Sequence, residues 1–208
     1  MKKALSILLA VVLLCSILLT GCNEDTKTEQ TETTSTEEET GFTATEGLEY
    51  NLNDDDTYSV SVGTAKSIEN IIIPETYNGK PVTTLLYKAF KDAKMKSITI
   101  PDSIKNLRGF AFSGCTNLTS ITIPANVTSI GANAFSGCAS LTSITIPANV
   151  TSIGANAFKD CDMLTKVTFV NASGWVAQNS RIFVELLADP SVAAQYIKYT
   201  YPGSWVRK

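Results

Sequence analysis

Histidine is absent from the 208 residues of this chain. Its absence removes the usual general base near neutral pH, histidine-based catalytic triads and most catalytic zinc sites. The carboxylates do not replace it, because hydrolysis by paired acids needs two of them facing one cleft, and no acid recurs at the repeated positions described below. We therefore expect no catalytic residue, no metal site, no cofactor and no enzymatic activity.

Basic clusters are also missing. Of the 17 basic and 20 acidic residues, three bases and seven acids lie before residue 42, which leaves 14 bases and 13 acids in residues 42–208. Binding to a phosphate backbone needs a concentrated cationic face. Nucleic acid is therefore not an expected partner.

The first 22 residues have the layout of a processing signal. Two lysines precede the apolar run Ala4–Leu19, which has the length of a signal-peptide core and is short for a membrane span. The run ends in Leu19-Thr20-Gly21-Cys22. This pattern resembles the bacterial lipobox, in which the chain is cut before the cysteine and the thiol carries a lipid. It predicts a signal peptide over residues 1–21 and lipidation of Cys22; an uncleaved anchor or an ordinary secretory signal is the alternative.

A polar segment follows this cysteine. Residues 23–41 contain seven acidic residues, seven threonines and no large apolar side chain. Such a segment cannot offset its ordering entropy by burial, so residues 22–41 are predicted to form a disordered stalk behind the lipidated cysteine. Two acyl chains would hold it durably on the extracytoplasmic face of a bacterial cell membrane.

Two stretches of eighteen residues are identical. Leu118–Phe135 and Leu141–Phe158 both read LTSITIPANVTSIGANAF, 23 positions apart. A fixed short period means that each unit buries its apolar side only by stacking on its neighbours. The sequence therefore predicts a mostly β solenoid with repeats of about 23 residues.

Each repeat has two halves. In the first half, isoleucines alternate with serine and threonine before a proline, which predicts one short parallel strand per coil and five such strands in one narrow sheet. In the second half, Gly131 and Gly154 are expected to permit a turn, followed by a short helical or 3₁₀ segment. An aromatic column inside the coil is expected from Phe90, Phe112, Phe135 and Phe158.

Three cysteines share one position of the repeat, namely Cys115, Cys138 and Cys161. Adjacent coils would place equivalent Cα atoms within disulfide reach. However, three thiols cannot all pair, and their side chains would run parallel. We interpret them as a row of small buried thiols.

The pattern LxxIxIPxxVxxIGxxAFxxC closely resembles the BspA-like, or Treponema pallidum type, leucine-rich repeats of bacterial surface proteins. The resemblance covers about Ile71–Phe169 and implies a right-handed solenoid with a cap at each end. Caps are needed because an uncapped coil exposes its core and its strand edges. Residues 42–170 would form the repeat domain, opened by a β-hairpin cap over 47–62, and residues 171–208 the C-terminal cap.

The C-terminal cap is predicted to be helical, because Asp189-Pro190 reads as a helix N-cap followed by proline at the first helical position. Its helix would present one apolar face, formed by Val192, Tyr196 and Tyr199. Further residues would help to cover the last coil: Trp175, Phe183, Leu186, Leu187 and Trp205. The two tryptophans have a second interpretation, as platforms that stack on sugars.

Asp54, Asp55 and Asp56 cluster in the turn of the predicted N-terminal hairpin. Carboxylates at short spacing suit calcium. This spacing matches neither an EF-hand nor a calcium-binding nonapeptide repeat, so a solvated turn is the favoured interpretation.

The outward positions of the predicted strands form the candidate binding face, which we call the hydroxyl stripe. It is expected on the concave surface, where the resemblance implies that partners bind. Alternatively, these side chains only hydrate an exposed sheet and bond across strands. The hydroxyl stripe consists of Ser97, Thr99, Ser120, Thr122, Ser143, Thr145, Lys166 and Thr168.

These features lead to one functional hypothesis and two alternatives. We expect a monomeric, lipid-anchored surface protein that binds a host or neighbouring-cell protein or glycan as an adhesion module. The alternatives are a structural envelope lipoprotein without a specific ligand and a carbohydrate-binding protein that uses the C-terminal cap.

Overall fold

The computed structural model describes residues 43–177, 180–181, 184–200 and 203–208. Cys22 and the predicted signal peptide and stalk lie outside the described residues, and the domain limits given above stay predictions. Within the described ranges, no helix has the length and apolar character needed to cross a membrane.

The described residues contain fourteen short strands and few helical turns. The strands are β1 (Glu49–Leu52), β2 (Tyr58–Ser61), β3 (Asn70–Ile72), β4 (Thr76–Tyr77), β5 (Lys80–Leu85), β6 (Ser97–Thr99), β7 (Asn106–Leu107), β8 (Ser129–Ile130), β9 (Ser143–Ile146), β10 (Ser152–Ile153), β11 (Lys166–Phe169), β12 (Trp175–Ala177), β13 (Ser180–Arg181) and β14 (Trp205–Arg207). The helical segments are a 3₁₀ turn (Ala65–Ser67), α1 (Val184–Ala188), α2 (Pro190–Gln195) and a π-helical segment (Tyr196–Thr200).

The isoleucine-rich first half of the repeat forms one strand column, as the sequence predicts. β3 pairs in parallel with β6, and β9 pairs in parallel with β11. The copy between them, residues 118–123, does not form a regular strand. It stays in the column because Thr119 N donates to Lys96 O and Thr142 N donates to Thr119 O, both at 3.3 Å. The column is therefore two parallel pairs joined by a looser coil, rather than one sheet of five strands.

A second strand column, which the sequence does not predict, forms the longest sheet. β2, β5, β7, β8 and β10 are parallel neighbours in that order. The two coils that contain the identical stretches, 118–135 and 141–158, are called the regular coils below. Their strands in this column are two residues long, with a half-exposed serine and one buried isoleucine, as in Ser129–Ile130. Two residues cannot show an alternation, so the side-chain pattern gives no strand signal here. The regular coils thus contribute a second strand beyond the one predicted.

The repeated apolar positions share one continuous interior, as predicted. Phe90, Phe112, Phe135 and Phe158 are fully buried and stack nearly parallel, with successive ring centroids 5.7, 5.3 and 5.3 Å apart. The inward isoleucines of both strand columns belong to the same cluster. Each ring buries roughly 150–250 Å², which at about 25 cal/mol per Å² makes this column a large part of the hydrophobic stabilisation.

Around each phenylalanine, the backbone N–H groups alternate between two kinds of hydrogen bond, one to the next coil and one within a local turn. The amide of Phe112 donates to the carbonyl of Ala134 in the next coil at 2.7 Å. The following amide closes a local turn, from Ser113 N to Phe110 O at 3.1 Å. The predicted helical or 3₁₀ segment is thus a series of turns in which every second N–H group bonds the neighbouring coil.

Gly131 and Gly154 each begin a turn, as predicted, because their carbonyls accept hydrogen bonds from Ala134 N at 3.2 Å and Ala157 N at 3.3 Å. Within these turns, the residues with positive φ are Asn133 and Asn156, at 54° and 57°, and not the glycines. The glycines are needed for close approach instead, because a Cβ on Gly131 would lie 2.4 Å from the amide nitrogen of Gly109 in the neighbouring coil. A Cβ on Gly154 would meet backbone in the same way.

A β-hairpin covers the N-terminal end, as predicted. β1 and β2 are antiparallel with Glu49 opposite Ser61, and β2 joins the second strand column by pairing with β5. The extra residues of the first repeat form the hairpin β4–β5. Its turn residues, Asn78 and Gly79, both have positive φ, as a two-residue type I′ turn requires.

The C-terminal end is closed by a reversed strand and by helices. β14 runs antiparallel to both β10 and β12, so it ends the second column. Helix α2 begins after its N-cap Asp189, whose carboxylate accepts hydrogen bonds from Ser191 N at 2.8 Å and Val192 N at 3.3 Å. The predicted N-cap is therefore confirmed.

The apolar face predicted for this helix is correct at Tyr196, which packs against the core, and wrong at Tyr199. The buried positions are Ala193, Ala194 and Ile197, whereas Tyr199 is 61% exposed. The hydrogen bonding changes to the wider π pattern at Tyr196, which rotates the later residues around the axis relative to an α-helix.

Candidate binding surfaces

The eight residues of the hydroxyl stripe are all exposed. β9 and β11 place Ser143 beside Lys166 and Thr145 beside Thr168, while Ile144 between them is buried. Lys166 is the only ionic group in the stripe. The predicted residues thus form a hydrophilic surface without the aromatic and arginine anchors that dominate many interfaces.

The three repeated cysteines are buried and free, which confirms the row of thiols. Each thiol donates to the backbone carbonyl of a phenylalanine in the preceding coil, from Cys115 to Phe90 at 3.0 Å, Cys138 to Phe112 at 3.1 Å and Cys161 to Phe135 at 3.0 Å. Burial raises the pKa of Cys115 and Cys161 to about 12 and also raises the pKa of Cys138. The thiols therefore stay protonated and poorly reactive.

The acidic hairpin turn is held by its own hydrogen bonds. The Thr57 hydroxyl donates to the Asp55 carboxylate at 2.6 Å and lowers the pKa of Asp55. Asp56 pairs with Lys80 at 2.5 Å. No three metal-ligating side chains converge anywhere in the described part of the chain. These carboxylates stabilise the turn.

Trp175 and Trp205 are buried in the C-terminal cap. Trp205 stacks on Phe169 with centroids 6.0 Å apart, and Trp175 meets the same ring edge-on at 5.4 Å. The Trp175 indole N–H donates to Asn171 O at 3.1 Å. A sugar needs an exposed ring face, so the interpretation of this pair as a sugar platform is wrong.

Sequence reasoning alone misses two aromatic clusters at the surface. At the N-terminal cap, Tyr50 stacks on Tyr77 at 3.8 Å beside a cavity of about 560 Å³ lined in part by residues 44–48. In the first two coils, Tyr87 meets Phe110 edge-to-face at 5.5 Å. The signal for the second cluster is a departure from the repeat, since the regular coils carry alanine and asparagine at these two positions.

Comparisons with known proteins agree with this architecture. The model for the BspA type leucine-rich repeat region matches residues 63–180 in six copies. The structure is similar to that of the Treponema pallidum leucine-rich repeat protein, with 26% identity, coverage of 61% of this chain and 70% of that one, and a TM-score of 0.51. It is also similar to a leucine-rich repeat protein from Bacteroides capillosus, with 25% identity, coverage of 60% and 95%, and a TM-score of 0.54.

A comparison with curated proteins gives no match. The predicted solenoid fold is nonetheless confirmed by the family match and by these structures. Because the family match covers more than half of the chain, the chain belongs to the BspA type leucine-rich repeat family.

Proposed function

We propose that this chain is a non-catalytic binding module, anchored by a lipid on Cys22 to the extracytoplasmic face of a bacterial cell membrane. Leucine-rich repeat solenoids are generally non-catalytic. The module binds a host or neighbouring-cell protein or glycan through the hydroxyl stripe. The observation that carries this proposal is the unbroken exposure of the eight stripe residues above a fully buried core.

The stripe hydroxyls are free to serve a partner. Ser97 donates to Asn70 at 2.7 Å, but the other stripe side chains make no hydrogen bond with any residue that the structure describes. Parallel strands lie about 4.8 Å apart, so the hydroxyls of Thr145 and Thr168, which are register partners, repeat at this spacing on the paired strands β9 and β11. A partner that replaces their water would gain hydrogen bonds with little loss of conformational entropy, because the scaffold is already ordered.

The N-terminal pattern supports the anchor. A positively charged start, an apolar run and a small-residue motif before Cys22 have the order that a lipoprotein signal requires. The acidic segment behind it has the composition of a solvated spacer. Together they would lift the solenoid off the membrane and leave the stripe accessible.

A structural envelope lipoprotein without a specific ligand is the second candidate function. The uniformity of the stripe favours it, because interfaces that bind tightly concentrate their energy in a few aromatic or arginine side chains. The two candidates differ in whether replacing stripe residues changes any binding.

The test uses the full chain in detergent on arrays of extracellular-matrix proteins and glycans. We expect at least one ligand whose affinity falls tenfold or more in the variant T122K/T145K/T168K, since three further ammonium groups would project from a face whose one charge is Lys166. The matched control is T128K/T151K, which places lysines at two exposed threonines beside the second strand column and should bind like the parent chain.

A companion variant tests the anchor. In the native host, Cys22→Ser should lose fatty-acid labelling and leave the membrane fraction. Retention of both would overturn the anchoring, and equal binding by the parent and T122K/T145K/T168K would overturn the stripe. Absence of any ligand would support the structural candidate instead.

A further inference from the structure

The first two coils depart from the regular repeat at one edge of the solenoid. After the buried isoleucine of the second strand column, the identical coils continue with glycine, alanine and asparagine at 131–133 and 154–156. The equivalent positions of the earlier coils are Leu86-Tyr87-Lys88 and Arg108-Gly109-Phe110. Glycine, alanine and asparagine are sufficient for the chain to turn here, so the fold does not require the large side chains of the earlier coils.

Three of these large side chains form a surface cluster, in which Tyr87 and Lys88 are exposed and Phe110 is half-buried. Tyr87 is 56% exposed and meets Phe110 edge-to-face, with an angle of 77° between the rings. The Lys88 ammonium lies 5.1 Å from the centre of the Tyr87 ring and 5.9 Å from that of Phe110. The Tyr87 ring also lies against Gly109, where a Cβ would approach it to 3.3 Å. The aromatic pair is thus held in place by its surroundings.

Phe110 adopts a conformation that bulky residues rarely take. Its φ is 59°, whereas Asn133 and Asn156 occupy the same left-handed position in the regular coils. A left-handed backbone at a residue other than glycine or asparagine costs about 1–2 kcal/mol. Lys88 has the same left-handed backbone one coil earlier, with φ of 62°, so the repeat imposes the conformation and Phe110 adopts it with an aromatic side chain.

Arg108, two residues before Phe110, lines a polar cavity. The cavity has a volume of about 480 Å³ and is lined by Leu52, Asn53, Asp54, Asp55, Thr84 and Arg108. The side chains of Arg108 and Asp54 form no hydrogen bond or ion pair with any residue that the structure describes. The Arg108 guanidinium, a donor, and the Asp54 carboxylate, an acceptor, therefore both line the cavity without bonding to each other. Phe110 follows Arg108 by two residues, so the aromatic pair begins next along the chain to the residue that lines the cavity.

We propose that this surface, the Arg108 cavity together with the Tyr87–Phe110 pair, binds a saccharide that carries a carboxylate. The Arg108 guanidinium presents the planar fork that pairs with a carboxylate. The exposed ring of Tyr87 offers an apolar face to the C–H side of a sugar ring. The carboxylates of Asp54 and Asp55 accept hydrogen bonds from sugar hydroxyls, and the cavity has the size of a small-ligand site.

A saccharide fits this surface better than an acidic peptide does. An acidic peptide offers carboxylates alone, which Arg108 attracts and Asp54 and Asp55 repel. A carboxylated saccharide offers hydroxyl groups as well, and these can donate hydrogen bonds to Asp54 and Asp55 while its carboxylate pairs with Arg108. The site shares no residue with the hydroxyl stripe, and its ligand binding does not depend on the function proposed for that stripe.

The test is calorimetric titration of the full chain with oligogalacturonate and sialyllactose, with lactose as the uncharged control. We expect at least one carboxylated saccharide to bind tenfold or more tightly than lactose. Arg108→Gly and Tyr87→Ala should each weaken that binding at least tenfold. Both variants install the residue that the regular coils carry at that position, so their unfolding transitions should stay close to that of the parent chain.

Two controls keep the result decisive. T122K/T145K/T168K should bind the saccharide as the parent does, because it alters only the hydroxyl stripe. Lys88→Asn, another regular-coil residue, should weaken binding and replaces Arg108→Gly if that variant unfolds. Equal affinity for lactose, no binding to either carboxylated saccharide, unchanged binding by these site variants, or tighter binding of polyglutamate would each overturn the proposal.

Discussion

At the scale of single residues, the two glycines of the identical coils fix the distance between coils. Gly131 N donates to Leu107 O at 2.7 Å, and a hydrogen bond of this length leaves no room for a Cβ facing the neighbouring backbone. Arg108 occupies the same position one coil earlier. Glycine is therefore required at 131 because the backbone of Arg108 and Gly109 lies close to it, and not because of its own φ angle.

Gly131→Ala should lower the free energy of unfolding by about 2–3 kcal/mol, as expected for overpacking that cannot relax. At a position with an ordinary φ, alanine normally stabilises by about 0.4–1 kcal/mol through the unfolded state, so a loss would isolate the steric contact. Chemical denaturation measures the change. Gly109→Ala is the matched control, because its Cβ would meet only a carbonyl oxygen and the Tyr87 ring at 3.3 Å, and it should cost no more than about 1 kcal/mol. Equal costs would contradict the argument.

At the scale of elements, the C-terminal cap is joined to the last coil by a buried lysine. Lys198 is 7% exposed, and its ammonium donates to Leu164 O at 3.1 Å and to Asp162 O at 3.4 Å. These carbonyls come just before β11, where the next coil would continue the stack. The ammonium thus supplies donors where the repeat ends, and its charge lies 4.8 Å from the centre of the Tyr199 ring.

Lys198→Met should keep the length of this side chain while removing its donors. Two carbonyls would then be left without the ammonium, and we expect a loss of about 1–3 kcal/mol in the free energy of unfolding. Hydrogen exchange in β11 should speed up at the same time, because the cap would open more often. Lys159→Met, at an exposed lysine of the same coil, should stay within about 0.5 kcal/mol of the parent. If Lys198→Met changed neither the free energy of unfolding nor hydrogen exchange in β11, the lysine would not hold the cap.

At the scale of the whole molecule, features that recur as side-chain types could be predicted, and features that depend on backbone bonding could not. The phenylalanine and cysteine columns recur every 23 residues, and the outward serines and threonines of the first strands alternate with isoleucines. The second strand column escapes because Ser129–Ile130 is too short to alternate. Some positions with positive φ could have been predicted from residue type, since asparagine at 133 and glycine at 137 adopt this conformation more readily than other residues.

The candidate sites divide in the same way. The hydroxyl stripe follows from the alternation of one strand, and its exposure is as expected. The Tyr87–Phe110 surface depends on residues that differ from the repeat and on a contact between two coils. A comparison that looks only for residues shared by all repeats does not find it. The buried face of α2 depends on the π-helical continuation, which no residue pattern in Tyr196–Thr200 indicates.

Stacking of like units makes a further prediction for the entire solenoid. Deleting residues 118–140 removes one complete coil and joins Asn117 to Leu141. The residues after this junction, Leu141–Phe158, are identical to the deleted Leu118–Phe135. Because each coil contacts only the next, the shortened chain should still unfold cooperatively, with a free energy lower by about 1–3 kcal/mol, in proportion to the residues lost. Its denaturant m-value should fall by roughly 10–15%.

Deleting residues 129–140 is the out-of-register control for this experiment. It joins Thr128 to Leu141 and places the first half of one repeat where the second half of another belongs. Phe135 and Cys138 would leave gaps in both buried columns, while the backbone ladder of the second column would lose β8 without a replacement. We expect this shorter deletion to abolish the cooperative transition seen by circular dichroism, although it removes fewer residues. If the half-coil variant folded as well as the full-coil variant, the stability of the molecule would not reside in register between coils.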